Sequence, residues 1–263
     1  MLQPPNILTV AGSDSGGGAG IQADVKTIAA LGGYGMSVVT ALTAQNGLGV
    51  AGIHDPGAEF VVRQLATVLE GFPVAAAKTG MLFSARTIEG VAELLRTRSF
   101  PLVVDPVSVS QSGSPLLLED AVEALKAHML PLADLLTPNR PEAAMLSGMA
   151  LDDADDVAAV GKRILEMGPR AVLIKGGHFE SSITVTDWLC VPGEDPAPLR
   201  HARVESANTH GTGCTLSAAI ATGLGHGLPL RVAVTKAQEY INLALRRSYN
   251  PGKGIGPPNH MAK

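Results

Sequence analysis

Short apolar runs alternate with longer stretches of helical spacing along this chain. The runs fall at residues 7–11, 36–42, 74–77, 102–104, 134–136 and 171–174. Each is nearly continuous in apolar residues, as strands covered on both faces should be, and the six repeats predict βαβ units wound about a parallel sheet. Ser84 fits an N-cap ahead of Ile88, Val91, Leu94 and Leu95, and Pro141 fits a first helical turn after Asn139. A further helix is expected over 152–167, stopped by Gly168 and Pro169, and two more, over 213–224 and 230–248, precede the tail GKGIGPPNH. Between 183 and 189 the spacing changes to alternation. With a second extended piece at 203–205, beyond the turn PGEDPAP, it predicts an antiparallel edge hairpin. No linker or charge run divides the chain, so one α/β domain over 1–263, its sheet mostly parallel with helices on both faces, is expected.

Composition narrows the class. Of 263 residues, 46% are hydrophobic, only 17% charged and 3% aromatic, a balance dominated by small residues that suits tightly packed layers. The net charge of −4, with Arg and Lys scattered, provides no basic patch, so nucleic acid is not an expected partner. The start, MLQPPNILTVAGSD, has no basic segment ahead of an apolar run, and no stretch approaches the roughly eighteen apolar residues of a membrane helix. Cys190 and Cys214 are far apart and suggest neither a disulfide framework nor a metal cluster, so a reducing, cytoplasmic setting is expected.

In open parallel sheets ligands bind beyond the carboxyl ends of the strands, and this chain places polar or Gly-rich residues after almost every predicted strand. The first is followed by Gly12-Ser13-Asp14-Ser15-Gly16-Gly17-Gly18-Ala19-Gly20, where glycines permit close backbone approach and expose N–H groups at a helix start. A dinucleotide fingerprint fits poorly, because the glycine spacing is wrong and no acid closes the second strand. His210-Gly211-Thr212-Gly213-Cys214-Thr215, directly before an apolar helix, is more informative. Successive N–H groups at a helix start make an anion hole suited to a transferring phosphoryl group, while the P-loop pattern is absent. The helix dipole is expected to lower the Cys214 thiol pKa, which makes Cys214 a candidate base or positioning group; alternatively it is only a small buried residue.

Asp105 and Glu142, at two further strand ends, suit nucleotide-bound Mg²⁺ as hard oxygen ligands, or each is a helix cap or surface acid; Lys175, released into Gly176-Gly177-His178, can reach a phosphate, or is a solvated strand-end lysine. Gln45 matches an aminopyrimidine edge, Met81 offers an apolar contact to a flat ring or mere core packing, and Asp24 could accept from a hydroxymethyl or amino group.

Taken in order, AGSDSGGGAGIQAD, TALTAQN, AKTGML, VVDPV, LTPNRPEA, VLIKGGH, HGTGCT and GIGPPNH closely resemble the bacterial hydroxymethylpyrimidine/phosphomethylpyrimidine kinases of the ribokinase-like superfamily, over nearly the whole chain. That resemblance implies a three-layer fold and two successive ATP-dependent phosphorylations, of the hydroxymethyl group and then of the resulting ester, toward thiamine. It implies Gln45, Gly12, Asp24 and Met81 at the pyrimidine and Gly211, Thr212 and Gly213 as the anion hole. Cys214 would take the place of a sugar-kinase aspartate. Asp105 and Glu142 would lie around Mg²⁺, and Asn139, Lys175 and His210 at the nucleotide. Dimers are common in the family, so a homodimer is expected. The chain departs from the family pattern at Gly47, where Thr is usual, and at Gln111, where the usual segment has Lys. Pyridoxal kinase, from the same branch, is the nearest alternative; a non-catalytic binding protein on the same fold is a remote one.

Overall fold

The computed structural model describes residues 3–108, 116–117, 120–176 and 183–262. Its frame is a nine-stranded sheet in the order β3-β2-β1-β4-β5-β6-β7-β8-β9. The strands are β1 (Asn6–Asp14), β2 (Tyr34–Asn46), β3 (Gly49–His54), β4 (Ala76–Thr79), β5 (Leu102–Val104), β6 (Leu135–Leu136), β7 (Val172–Ile174), β8 (Thr184–Cys190) and β9 (Ala197–Ala202). From β2 through β1, β4, β5 and β6 to β7 the pairing is parallel, and β3, β8 and β9 join antiparallel at the two ends.

Alternation along the strands explains the three layers. Leu8, Leu102, Val104, Leu136, Val172 and Ile174 face a core shared with α2 (Ala58–Gly71), α3 (Ala85–Leu95), α4 (Ala121–Ala124), α5 (Arg140–Ser147) and α6 (Val157–Leu165). Ile7, Ala76, Val103, Leu135 and Leu173 face the opposite one, shared with α1 (Gly20–Ala30), α7 (Thr212–Gly225) and α8 (Leu230–Arg246). With both faces covered, continuous apolar runs become strands. Among the described residues, no helix is long and apolar enough to cross a membrane.

Helix ends follow their local chemistry. Ser84 caps α3, its Oγ accepting from the Thr87 N–H, and Asn139 and Glu142 form a reciprocal capping box on α5 with Pro in the first turn. The helix expected over 152–167 begins instead at Val157, because Asp156 accepts from the N–H groups of Asp152 and Asp153, and Asp153 from that of Asp155. The second hairpin strand lies earlier than 203–205, at Ala197–Ala202, with Pro198 tolerated because β9 is an edge. The strand β3 was not anticipated.

Candidate active site

A cavity of about 490 Å³ opens where β1, β2, β4, β5, β6 and β7 end and α7 begins. Where α7 begins, Gly211, in the left-handed region at φ 81, turns the chain into the helix. A Cβ there would fall 1.9 Å from the Gly18 carbonyl oxygen, so only glycine lets the two loops meet. In the first turn of α7 the N–H groups of Gly213 and Cys214 have no carbonyl partner within the helix and these residues line the cavity, whereas the Thr212 N–H, expected in the anion hole, donates to the Thr209 carbonyl at 3.3 Å.

The first glycine loop does something else. Asp14 accepts from the N–H groups of Gly16 (2.8 Å), Gly18 (3.0 Å) and Ala19 (2.9 Å), and sits 2.8 Å from His210 Nε2. The N–H groups expected to grip a ligand are therefore committed to an internal carboxylate. Burial works against the Asp14 charge, yet His210 and the loop N–H groups outweigh it and hold the acid below the usual carboxylate range. His210, expected at the nucleotide, instead stands between Asp14 and Gln45, whose Nε2 is 3.5 Å from the imidazole.

On the far wall, Lys175 Nζ lies 3.0 Å from Asp105 and 3.9 Å from Glu142. A backbone bond from the Lys175 N–H to the Pro138 carbonyl brings the two strand ends together. Asp105 also accepts from Thr137 Oγ1 (3.1 Å) and Ser217 Oγ (3.3 Å). Burial opposes the charge of Lys175, but Asp105 and Glu142 more than offset it and raise its pKa. Burial pushes Glu142 up to about 7 against the pull of Lys175, and the nearby Asp105 adds to the rise. Asn139 lines the same wall through its capping box. Gly177 and His178, and the segment holding Gln111, lie outside the described residues.

At the other end of the cavity, its lining includes Gln45, Gly12 and Met81, with Thr43, Val107 and Leu116 beside them. Thr43 Oγ1 lies 3.1 Å from Gln45 Oε1 and 2.9 Å from the Ser13 carbonyl, and its one proton is shared between these two acceptors. Met81 packs with Ala41 and Leu116 into a small apolar wall.

Asp24 is a correction. It does not reach the cavity: it is 0% exposed, accepts from Thr9 Oγ1 at 2.6 Å and pairs with Lys78 Nζ at 3.1 Å. Lys78, just past the predicted run 74–77, is inside β4 and equally buried. Burial opposes its charge, but Asp24 leads the acids that push it up to about 12.

Cys214 departs from expectation too. Burial, with Asp24 and Asp105, pushes its thiol up to about 11 in spite of Lys78 and the Gly20 N–H, so the low-pKa thiolate expected from the helix dipole is not formed. Among the residues that sequence reasoning missed, Asp14 had a signal, since an Asp two residues before a Gly in a turn characteristically accepts from that N–H.

Comparison with known proteins follows this geometry. The family described as phosphomethylpyrimidine kinase matches residues 14–259. A hydroxymethylpyrimidine/phosphomethylpyrimidine kinase of Streptomyces coelicolor is 48% identical over 98% of this chain and 95% of its own length. A thiamine biosynthesis bifunctional protein, ThiED, of Geobacter sulfurreducens is also 48% identical, over 97% of this chain and 52% of its own. Among solved structures, an ADP complex of Bacillus subtilis pyridoxal kinase superposes with a TM-score of 0.89 at 35% identity, covering 98% of each chain.

Proposed function

Because the chain belongs to the phosphomethylpyrimidine kinase family, we propose that it is an ATP-dependent kinase. Its acceptor is 4-amino-5-hydroxymethyl-2-methylpyrimidine, converted to the monophosphate and then to the pyrophosphate for thiamine biosynthesis. The observation that carries this reading is a single cavity with a planar amide and an apolar wall at one end and a helix start beside a lysine and two acids at the other. Gln45 pairs with the aminopyrimidine edge, and Met81 and Gly12 hold the ring. The acceptor hydroxymethyl points toward Gly213 and Cys214, whose N–H groups, with Gly211 shaping the turn, receive the phosphoryl oxygens.

Asn139 and Lys175 serve the nucleotide phosphates. Asp105 and Glu142 fit Mg²⁺: two close carboxylates, one raised to near-neutral pKa by burial and further by its neighbour's charge, are what a shared cation would relieve. Among the described residues no cluster of three or more His, Cys, Asp or Glu side chains assembles, so the ion would be held mostly by nucleotide phosphates and water. When bound, it neutralises charge on the transferring group. The protonated Cys214 thiol packs against and orients the acceptor rather than removing its proton, and the chain's contribution to the rate is positioning. The enzyme acts as a cytoplasmic homodimer of one 263-residue kinase domain.

A coupled assay of Mg-ATP consumption with hydroxymethylpyrimidine, its monophosphate and pyridoxal tests the reading. Turnover of both pyrimidines, in preference to pyridoxal, is expected. Turnover of pyridoxal alone would favour the second reading, which the likeness to pyridoxal kinase supports, and no turnover of any of them would refute a vitamin kinase.

A further inference from the structure

Two features of the sequence are absorbed by neither the anion hole nor the acceptor pocket: Gly47, just beyond β2, and the tail GKGIGPPNH. The structure puts them in contact. The Ile255 N–H donates to the Gly47 carbonyl at 2.7 Å. A Cβ on Gly47 would fall 2.4 Å from the Lys253 carbonyl oxygen, and one on Gly254, at φ 84, would fall 2.0 Å from the Gly47 oxygen. Here two backbones cross with no room for a side chain on either.

From that crossing the tail runs to the phosphate-binding end. The Gly256 carbonyl accepts from the His210 N–H at 3.0 Å, directly ahead of Gly211. The Asn259 N–H donates to the Ala244 carbonyl of α8, and Tyr240 Oη donates to the His260 carbonyl at 2.6 Å, which fixes the far end. His260, buried, then brings Nε2 to 3.1 Å from Thr215 Oγ1, while that hydroxyl donates to the Gly211 carbonyl at 2.9 Å. A hydroxyl has one proton, and with it on Gly211 the imidazole Nε2 must carry its own and donate. Burial, with Lys26 and His210 nearby, lowers His260 to about 4, so the ring is a neutral donor.

We propose that residues 252–260 form a strap that sets the anion hole against the acceptor pocket, with His260 a positioning residue that acts through Thr215 on Gly211. This rests on Gly211 to Gly213 being the anion hole. Gly47 joins the strap to the turn that follows Gln45, and His260 joins it to the first turn of α7, so both ends of the cavity are tied to one short segment.

Amide hydrogen exchange on the full-length enzyme, read beside steady-state kinetics, tests the strap. His260→Ala should speed exchange roughly tenfold at the amides of the first hydrogen-bonded turn of α7, above all Thr215, whose N–H donates to the Gly211 carbonyl at 2.9 Å, and lower kcat about tenfold, with the pyrimidine KM within about twofold. His260→Gln, which keeps an N–H donor at similar reach, should restore both. Gly254→Ala should speed exchange at the same amides although it touches none of them. Unchanged exchange from Gly211 to Thr215 in both alanine variants would overturn the strap, and a defect that glutamine fails to repair would overturn the role of His260. Wild-type enzyme that phosphorylated no pyrimidine would count against the kinase reading alone, since the exchange result judges the strap without substrate.

Discussion

Replacing Gly211 with alanine separates the cost of a fold from the cost of a reaction. An L-residue in the left-handed region is strained by about 1–2 kcal/mol. Sterics add more: the new Cβ would sit 1.9 Å from the Gly18 oxygen and 2.8 Å from its carbonyl carbon. Ordinary contact needs about 3.5 Å, so the start of α7 and the 16–19 loop must part by roughly 1.5 Å. Because Asp14 ties that loop to His210, the shift is borne at the start of α7, the proposed anion hole. A displacement near 1 Å at a reacting centre costs about a hundredfold. Gly211→Ala is therefore expected to lose at least about a hundredfold in kcat/KM. A few kcal/mol of lost stability should lower Tm by several degrees, at about 2–4 °C per kcal/mol for a chain of this size. Gly213→Ala is the control, since its Cβ would make only ordinary contacts, 3.4 Å from Lys175 Nζ and 3.6 Å from Asp105. It should melt like wild type yet lose turnover, because a methyl group then occupies the phosphoryl site. A coupled ADP-release assay with thermal melts reads both. Gly211→Ala with kcat/KM within about threefold of wild type would refute this account of the loop crossing.

Gln45→Ala should raise the pyrimidine KM about tenfold or more while leaving the ATP KM unchanged, and an unchanged pyrimidine KM would remove Gln45 from recognition. With its thiol at about 11, Cys214 stays protonated from pH 7 to 9; Cys214→Ser should keep kcat within about tenfold and leave the pH–rate profile unaltered in shape, whereas a thiolate base would make the rate climb tenfold per pH unit. His260, depressed from 6.5 to about 4 in the folded state, contributes stability that is fully present above pH 6.5 and lost as pH falls toward 4, at most ~3 kcal/mol. Chemical denaturation across that range should show His260→Gln flattening the acid limb, and an unchanged limb would mean that His260 is not the titrating group.

Strands were legible wherever both faces are buried, because the signal is then a plain apolar run, as at 102–104. Strand β3 escaped because Gly49–His54 is half-buried at best along its length and so carries no periodicity. The place of Gly211 to Gly213, at the start of α7 and on the cavity wall, was legible from glycines set directly before an apolar helix. Asp24 was misplaced for a different reason: an acid on a helix reads the same whether it faces a ligand or a lysine, and its partner lies 54 residues away. The spacing of Asp14 and Gly16 hints that the acid binds its own loop, but no local pattern reveals its partnership with a histidine 196 residues on.

The two lysine–acid pairs, Lys78 with Asp24 and Lys175 with Asp105, look alike in sequence, and burial tells them apart. Lys78 and Asp24 are 0% exposed on both sides and joined through both carboxylate oxygens, with Thr9 as a further donor. Breaking such a pair leaves an unpaired buried charge, at a cost of about 3–5 kcal/mol, so neither partner is free to leave the other for a substrate. Lys175 differs in keeping 15% of its side chain exposed to the cavity, with Asp105 at 3.0 Å and Glu142 only at 3.9 Å. A lysine with a short side of negative charge and an open side can take a phosphate without first being desolvated, and Glu142, already drawn toward neutrality, gives up little when it does. The same residue types thus divide into one pair that fixes the floor beneath Cys214 and one that faces the chemistry.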